Sequence, residues 1–223
     1  MKKEELEYYL GLFGCEWDGK EAILEMQKNN YNQWKQMEWA GFYLQYVIKT
    51  YNENHFIIPG KTINKTTFDA HWISSNTPID VKFHSNCDSK GKHNQRIPLN
   101  DCLAMDEAID TYNSVGLLVL FGNPVFDESG EFKIWHDSIK GEKSKYVKLA
   151  ELENKNSRVR KVFINLTHVN YYSIDKTNVH LLDGFQKGMV NSNGNLRNEK
   201  YSLDMKKISP KYTIDVDLTM YDW

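Results

Sequence analysis

Apolar residues after Asp18-Gly19 recur at spacings of three and four. Ile23, Met26, Trp34, Met37, Leu44 and Val47 form one helical stripe, with Asn30 and Gly41 in register on it. The Asn29-Asn30 pair is expected to break that stripe into two helices, and residues 3–13 predict a short amphipathic helix ahead of them. The period then changes. His55–Pro59, Thr67–Ile73 and Ile79–His84 are short β-prone runs, with Ser74–Pro78 as the turn between the last two. Residues 85–98 are polar, lack periodicity and predict a loop. Residues 100–113 predict a helix capped by Asn100 or Asp101, and Val115–Phe121 is a continuous apolar run expected of a strand covered on both faces.

Further along, Val125–Trp135 predicts a hairpin around Glu128-Ser129-Gly130. Residues 137–154 carry charge at helical spacing, Arg158–Thr167 predicts a strand, Val179–Met189 a helix, and the tail from Asn191 is turn-rich. Helices, a group of strands, a helix and a buried strand make an α/β domain with a mixed, partly parallel central β-sheet flanked by helices. A length of 223 residues suits a single domain. It divides into an N-terminal helical region (1–50), a core (51–125) and a mixed C-terminal part (126–223).

Composition narrows the class without naming it. Hydrophobic residues make up 40% of the chain, enough for a packed core. The net charge of -2 does not mark a nucleic-acid binder, although basic residues can be concentrated locally. Cys15, Cys87 and Cys102 are dispersed, which argues against a disulfide framework or a structural zinc site. No apolar leader and no stretch long enough to span a bilayer is visible, so a cytoplasmic location without a membrane partner is expected. Sequence elements for serine hydrolases, zincins or bound nucleotide cofactors are missing in any suitable context.

One constellation carries chemistry. Strand alternation puts Asp80 and Lys82 on one face and Ile79, Val81 and Phe83 on the other. Asp69 lies on the preceding run and reaches the same spot if the two strands are antiparallel neighbours. Two carboxylates can hold a hard divalent cation such as Mg²⁺, and a nearby Lys can act on an attacking water or on phosphorane charge. The triplet of an acid two before a Lys is common; Asp18/Lys20, Asp88/Lys90, Glu131/Lys133, Glu153/Lys155 and Asp204/Lys206 repeat it. Context selects Asp80/Lys82, with Glu131/Lys133 plus Asp127 as the nearest rival.

The arrangement Asp69…Asp80-Val81-Lys82, between a helix and a helix-strand pair, resembles the PD-(D/E)XK nuclease superfamily, most of all type II restriction endonucleases. The likeness spans residues 35–121 and departs at Phe68, where the family places Pro. It implies a restriction-endonuclease-like core and Mg²⁺-dependent, sequence-specific cleavage of double-stranded DNA by a homodimer within a restriction-modification system. Asp69 and Asp80 would be the metal ligands, Lys82 the catalytic lysine and Glu38 an additional acid from the preceding helix. The C-terminal part would contribute to DNA binding or dimerisation. A structure-selective repair or recombination nuclease, or a non-catalytic DNA-binding protein, are the alternatives.

Lys90, Lys92, His93, Asn94, Gln95 and Arg96 follow the motif strand and suit contacts to phosphates and base edges. Arg197 in a second polar segment is a further DNA-binding candidate. Arg158, Arg160 and Lys161 form a third basic group, and His84 continues the face of Asp80 and Lys82.

Overall fold

The computed structural model describes residues 2–52, 54–141, 148, 152, 159–190 and 195–216. The chain opens with helix α1 (Lys3–Phe13), strand β1 (Glu16–Asp18) and helix α2 (Gly19–Lys28). Asp18 starts α2 by accepting the amides of Lys20 and Glu21 at 2.7 and 3.0 Å, which satisfies two donors that the first turn leaves unpaired. The expected break follows: Asn30 takes a left-handed φ of 55°, a 3-10 turn spans Asn32–Lys35, and α3 runs Trp39–Thr50.

Four short strands come next: β2 (Phe56–Ile57), β3 (Thr62–Ile63), β4 (Thr66–Thr67) and β5 (Ala70–Trp72). Then follow β6 (Thr77–Ser85), β7 (Arg96–Asp101), α4 (Cys102–Tyr112), β8 (Ser114–Phe126), α5 (Glu131–Lys140) and β9 (Lys161–Asp175). After a 3-10 turn at Val179–Leu181 come β10 (Asp183–Phe185), β11 (Lys200–Asp204) and β12 (Tyr212–Asp215).

Among the described residues the central sheet has seven strands in the order β1-β9-β8-β6-β5-β2, with β12 also on β9. It is mixed: β6 and β8 are parallel and connected through α4, whereas β5–β6 and β8–β9 are antiparallel. Strand alternation sorts β8 between two cores. Val115, Leu117, Val119 and Phe121 join Ala104, Met105, Ala108 and Ile109 of α4. Leu118 and Leu120 join Ile79 and Val81 of β6 beneath α2 and α3. Each Val, Leu, Ile, Met or Phe among them contributes on the order of 1.5–3 kcal/mol on burial, and coverage of both faces explains the continuous apolar run in the sequence.

Several expectations are corrected. Residues 125–135 do not form a hairpin: β8 continues to Phe126, and α5 begins at Glu131. Asp127 accepts the amides of Phe132 and Lys133 at 3.2 and 2.8 Å, so it caps a helix where a hairpin partner was expected. The polar segment 85–98 is not all loop, because Arg96–Asp101 pairs with β11 as an edge strand. Val179–Met189 is not a helix; β10 lies within it, in a three-stranded sheet ordered β10-β11-β7. The strand expected to end at Thr167 runs to Asp175, held by β8 on one side and by β1 and β12 on the other. Of residues 137–154, those up to 140 belong to α5, and most of the remainder, like Arg158, lies outside the described residues.

Candidate functional site

The site forms where β5 stops pairing with β6. Ala70 stands opposite Ile79, and continuing that register would set Phe68 opposite Val81. The backbone of Phe68 is engaged elsewhere: its amide donates to Lys61 O at 3.1 Å and its carbonyl accepts from Gly60 N at 2.9 Å. The Val81 amide, left without a strand partner, donates instead to Asp69 Oδ2 at 2.8 Å. A side chain thus replaces a ladder bond and pins Asp69 to the edge of β6. Gln45 of α3 donates to the other oxygen, Oδ1, at 3.0 Å.

Asp80 and Lys82 share the opposite face of β6 from Ile79, Val81 and Phe83, as strand periodicity requires. Lys82 Nζ lies 2.5 Å from Asp80 Oδ1 and 3.7 Å from Asp69 Oδ2, so the ammonium bridges the carboxylates. Asp80 is only 3% exposed, and its Oδ2 is buried without a hydrogen-bond partner. A buried carboxylate oxygen with no partner is costly, and such groups in a folded protein point to a missing ligand or a catalytic role.

The electrostatics are strained. Burial, and then the neighbouring charge of Asp80, push the Asp69 carboxyl up to about 8, against partial relief from Lys82. Burial opposes the Lys82 ammonium, but Asp80 and Asp69 outweigh it and hold Lys82 above its usual value. Lys82 is therefore a cation at neutral pH, suited to stabilising negative charge more than to taking a proton.

A Mg²⁺ ion needs one or two carboxylates, with waters and substrate oxygens filling its remaining positions. Asp69 and Asp80 meet that requirement, and the unpartnered Oδ2 of Asp80 is an available donor atom. Among the described residues, no third His, Cys, Asp or Glu joins them in a cluster.

The other candidates are sorted by the fold. Glu38 does not join the carboxylates; it stands at the start of α3 and accepts from Lys161 Nζ of β9 at 2.6 Å. Gln45, two helical turns further on, occupies the place expected for a helix residue beside Asp69; helical spacing puts it on the face of Glu38, but nothing in the sequence ranks it above the acid. His84 continues the face of Lys82, is buried, makes an edge contact with Phe121, and lies 2.9 Å from Asn94 O. Burial holds its pKa below the usual value.

The segment after β6 is ordered by its own side chains. Asp88 Oδ1 accepts the amides of Lys90 and Lys92, both at 2.9 Å, around Gly91, whose φ of 74° favours a residue without Cβ. His93 Nδ1 meets Asn86 O at 2.8 Å, and Asn94 Oδ1 accepts from Arg96 N at 3.0 Å. This leaves Lys90 and Lys92 projecting at an exposed turn and Gln95 exposed beside them. Arg96 instead directs its guanidinium to Asp183, at 3.4 Å. Arg197 is exposed on the connection between β10 and β11, two strands of the three-stranded sheet. Arg160 does not line an exposed surface: it is 3% exposed and bound to His136 and Asp137, each at 2.8 Å.

The three cysteines are free, and no helix of the described residues is long and apolar enough to cross a membrane. No protein-family model, no curated protein and no solved structure matches this chain.

Proposed function

We propose that the chain is a Mg²⁺-dependent endonuclease acting on double-stranded DNA, of the type II restriction kind, with a restriction-endonuclease-like core. The observation that carries the reading is the meeting of Asp69, Asp80 and Lys82 at the open edge of β6, with Asp80 Oδ2 buried and unpartnered. The order α3, β5, β6, α4, β8, with β6 parallel to β8, supports it.

Asp69 and Asp80 would hold the cation, which when bound neutralises the scissile phosphate and acidifies a water. Val81 N–H and Gln45 fix the rotamer of Asp69, so that its carboxylate does not have to be ordered during the reaction. Lys82, held cationic between the two acids, places positive charge where the phosphorane develops it. Lys90, Lys92 and Gln95 extend beyond the same strand and would meet phosphates and base edges. Cutting both strands of a near-palindromic site calls for two copies related by two-fold symmetry.

The test is incubation of the protein with a long, mixed-sequence DNA in Mg²⁺, beside EDTA and Lys82→Ala controls. Discrete fragments that disappear in both controls are expected. An intact genome-sized substrate in Mg²⁺ and in Mn²⁺ would refute the reading.

A further inference from the structure

A cavity of about 390 Å³ opens beyond the carboxyl ends of β6 and β8, beside the carboxylate site and separate from it. Its size falls in the roughly 300–1,000 Å³ range of small-molecule pockets. Glu38, Lys161, His84, Asp88, Asn94 and Phe126 line it. His84 is two strand residues from Lys82, about 6.6 Å along β6. Glu38 is seven residues from Gln45, about 10 Å along α3. The cavity is therefore within reach of a nucleotide neighbouring a phosphate held at Asp69, Asp80 and Lys82.

The lining specifies what can enter. Glu38 and Asp88 bring two carboxylates against the single ammonium of Lys161, a balance of -1, and burial favours the neutral form of His84. Lys90 and Lys92, on the turn of Asp88, are there for neighbouring phosphates, and the lining of the cavity itself favours a neutral group. Glu38 Oε2 accepts from Lys161 Nζ at 2.6 Å, which sets an acceptor and a donor side by side. Asp88 commits Oδ1 to the amides of Lys90 and Lys92, and its turn holds the carboxylate still. Phe126 and the His84 ring supply flat, weakly polar walls. Adjacent carboxylate acceptors and a donor beside an aromatic wall suit a neutral heterocycle bearing an exocyclic amine.

We infer that this cavity receives a nucleobase carrying an exocyclic amino group, cytosine above thymine, turned out of its stack next to the cleaved phosphate. The cytosine N4 amine carries two N–H donors for the two carboxylates while its N3 accepts from Lys161, whereas thymine brings the single donor N3–H and would set O4 against the second carboxylate. An enzyme that reads an unstacked base does so through its polar edge and by stacking. This inference rests on the nuclease reading, because a strand must first be anchored at the carboxylate site.

The test is fluorescence anisotropy of short labelled single strands, one of deoxycytidine and one of thymidine, with Ca²⁺ in place of Mg²⁺. The wild-type protein should prefer the deoxycytidine strand by about fivefold or more, the lower range for one good base-edge contact. The double variant Glu38→Ala/Lys161→Ala keeps the net charge of the cavity and removes its paired edge; the preference should fall to parity. Phe126→Ala should weaken deoxycytidine binding with little effect on thymidine, and thermal melting of each variant checks that it is folded. Equal binding of the two strands by the wild type, or a preference that survives in the folded double variant, overturns the inference. Cleavage of long DNA in Mg²⁺ is scored separately. Cleavage without the strand preference removes the base site alone, and the preference without cleavage removes the nuclease reading and with it the link to a cleaved phosphate, leaving only the cavity's choice of base.

Discussion

Asp69→Asn should stabilise the metal-free protein while abolishing cleavage. The Asp69 carboxyl is raised from an ordinary 3.8 to about 8, first by burial and then by the charge of Asp80. A carboxyl whose folded pKa lies above its unfolded value leaves the fold most stable below pH 3.8. Stability is lost as pH rises from there through 8, because the unfolded chain ionises first. At pH 7 the span of about 3 pH units sets a ceiling of about 4 kcal/mol at 1.36 kcal/mol per unit. Solvent contact at the site reduces the expected value to about 2 kcal/mol. The substitution deletes the charge yet keeps an oxygen for the Val81 amide, and Gln45 can turn its own amide over to accept from the new one. Thermal melts in EDTA should show a rise in Tm of about 4–8 °C at pH 8, shrinking towards zero near pH 4. A lower Tm at pH 8, or a gain that does not depend on pH, would refute the view that this carboxylate is held in place against its own electrostatics for function.

Three further outcomes follow from the geometry. Gln45→Ala removes the hydrogen bond to Asp69 Oδ1, and cleavage should fall by roughly 10- to 100-fold in kcat with little change in the melting curve, measured by single-turnover digestion. Gly116→Ala would place a Cβ 2.4 Å from Ile79 Cδ1 and 2.7 Å from the Tyr171 hydroxyl, directly behind the motif strand. A loss of about 1–3 kcal/mol in urea unfolding is expected, and unchanged stability would show that the β6–β8 contact gives way easily. His136 is pushed down to about 4, chiefly by burial. The stability tied to its neutral form is fully present above pH 6.5 and disappears as pH falls towards 4. After screening this is about 2 kcal/mol, read from urea midpoints of wild type against His136→Gln across that window.

The sequence by itself was sufficient for features set by local periodicity. Alternation alone puts Asp80 and Lys82 on one face of β6, because successive strand side chains point to opposite sides. The unbroken apolar run of β8 reveals a strand covered twice, and the order helix, strands, helix, strand leads to a mixed sheet. Asp101 was a legible helix cap, and its carboxylate accepts the Ala104 amide at 3.1 Å. Local patterns misled where two states share a signature: Asp127 before Ser129-Gly130 reads equally as a turn or a helix start, and only packing of Phe132 and His136 into the interior selects α5. The segments 96–101 and 183–185 became strands because each finds β11, a partner about a hundred residues from the first and close to the second.

What makes the site a site was decided by tertiary structure. Asp69 is anchored because Phe68 bonds residues 60 and 61 and leaves the Val81 amide open, a consequence of where β5 ends. Gln45 reaches Asp69 and Glu38 does not, because α3 packs on β6 with its start bonded to β9 and Gln45 at the residue before β5. Sequence spacing reports which residues share a face of one element. The angle at which that element crosses its neighbours comes from side-chain packing between distant segments, and that angle determines which residues meet.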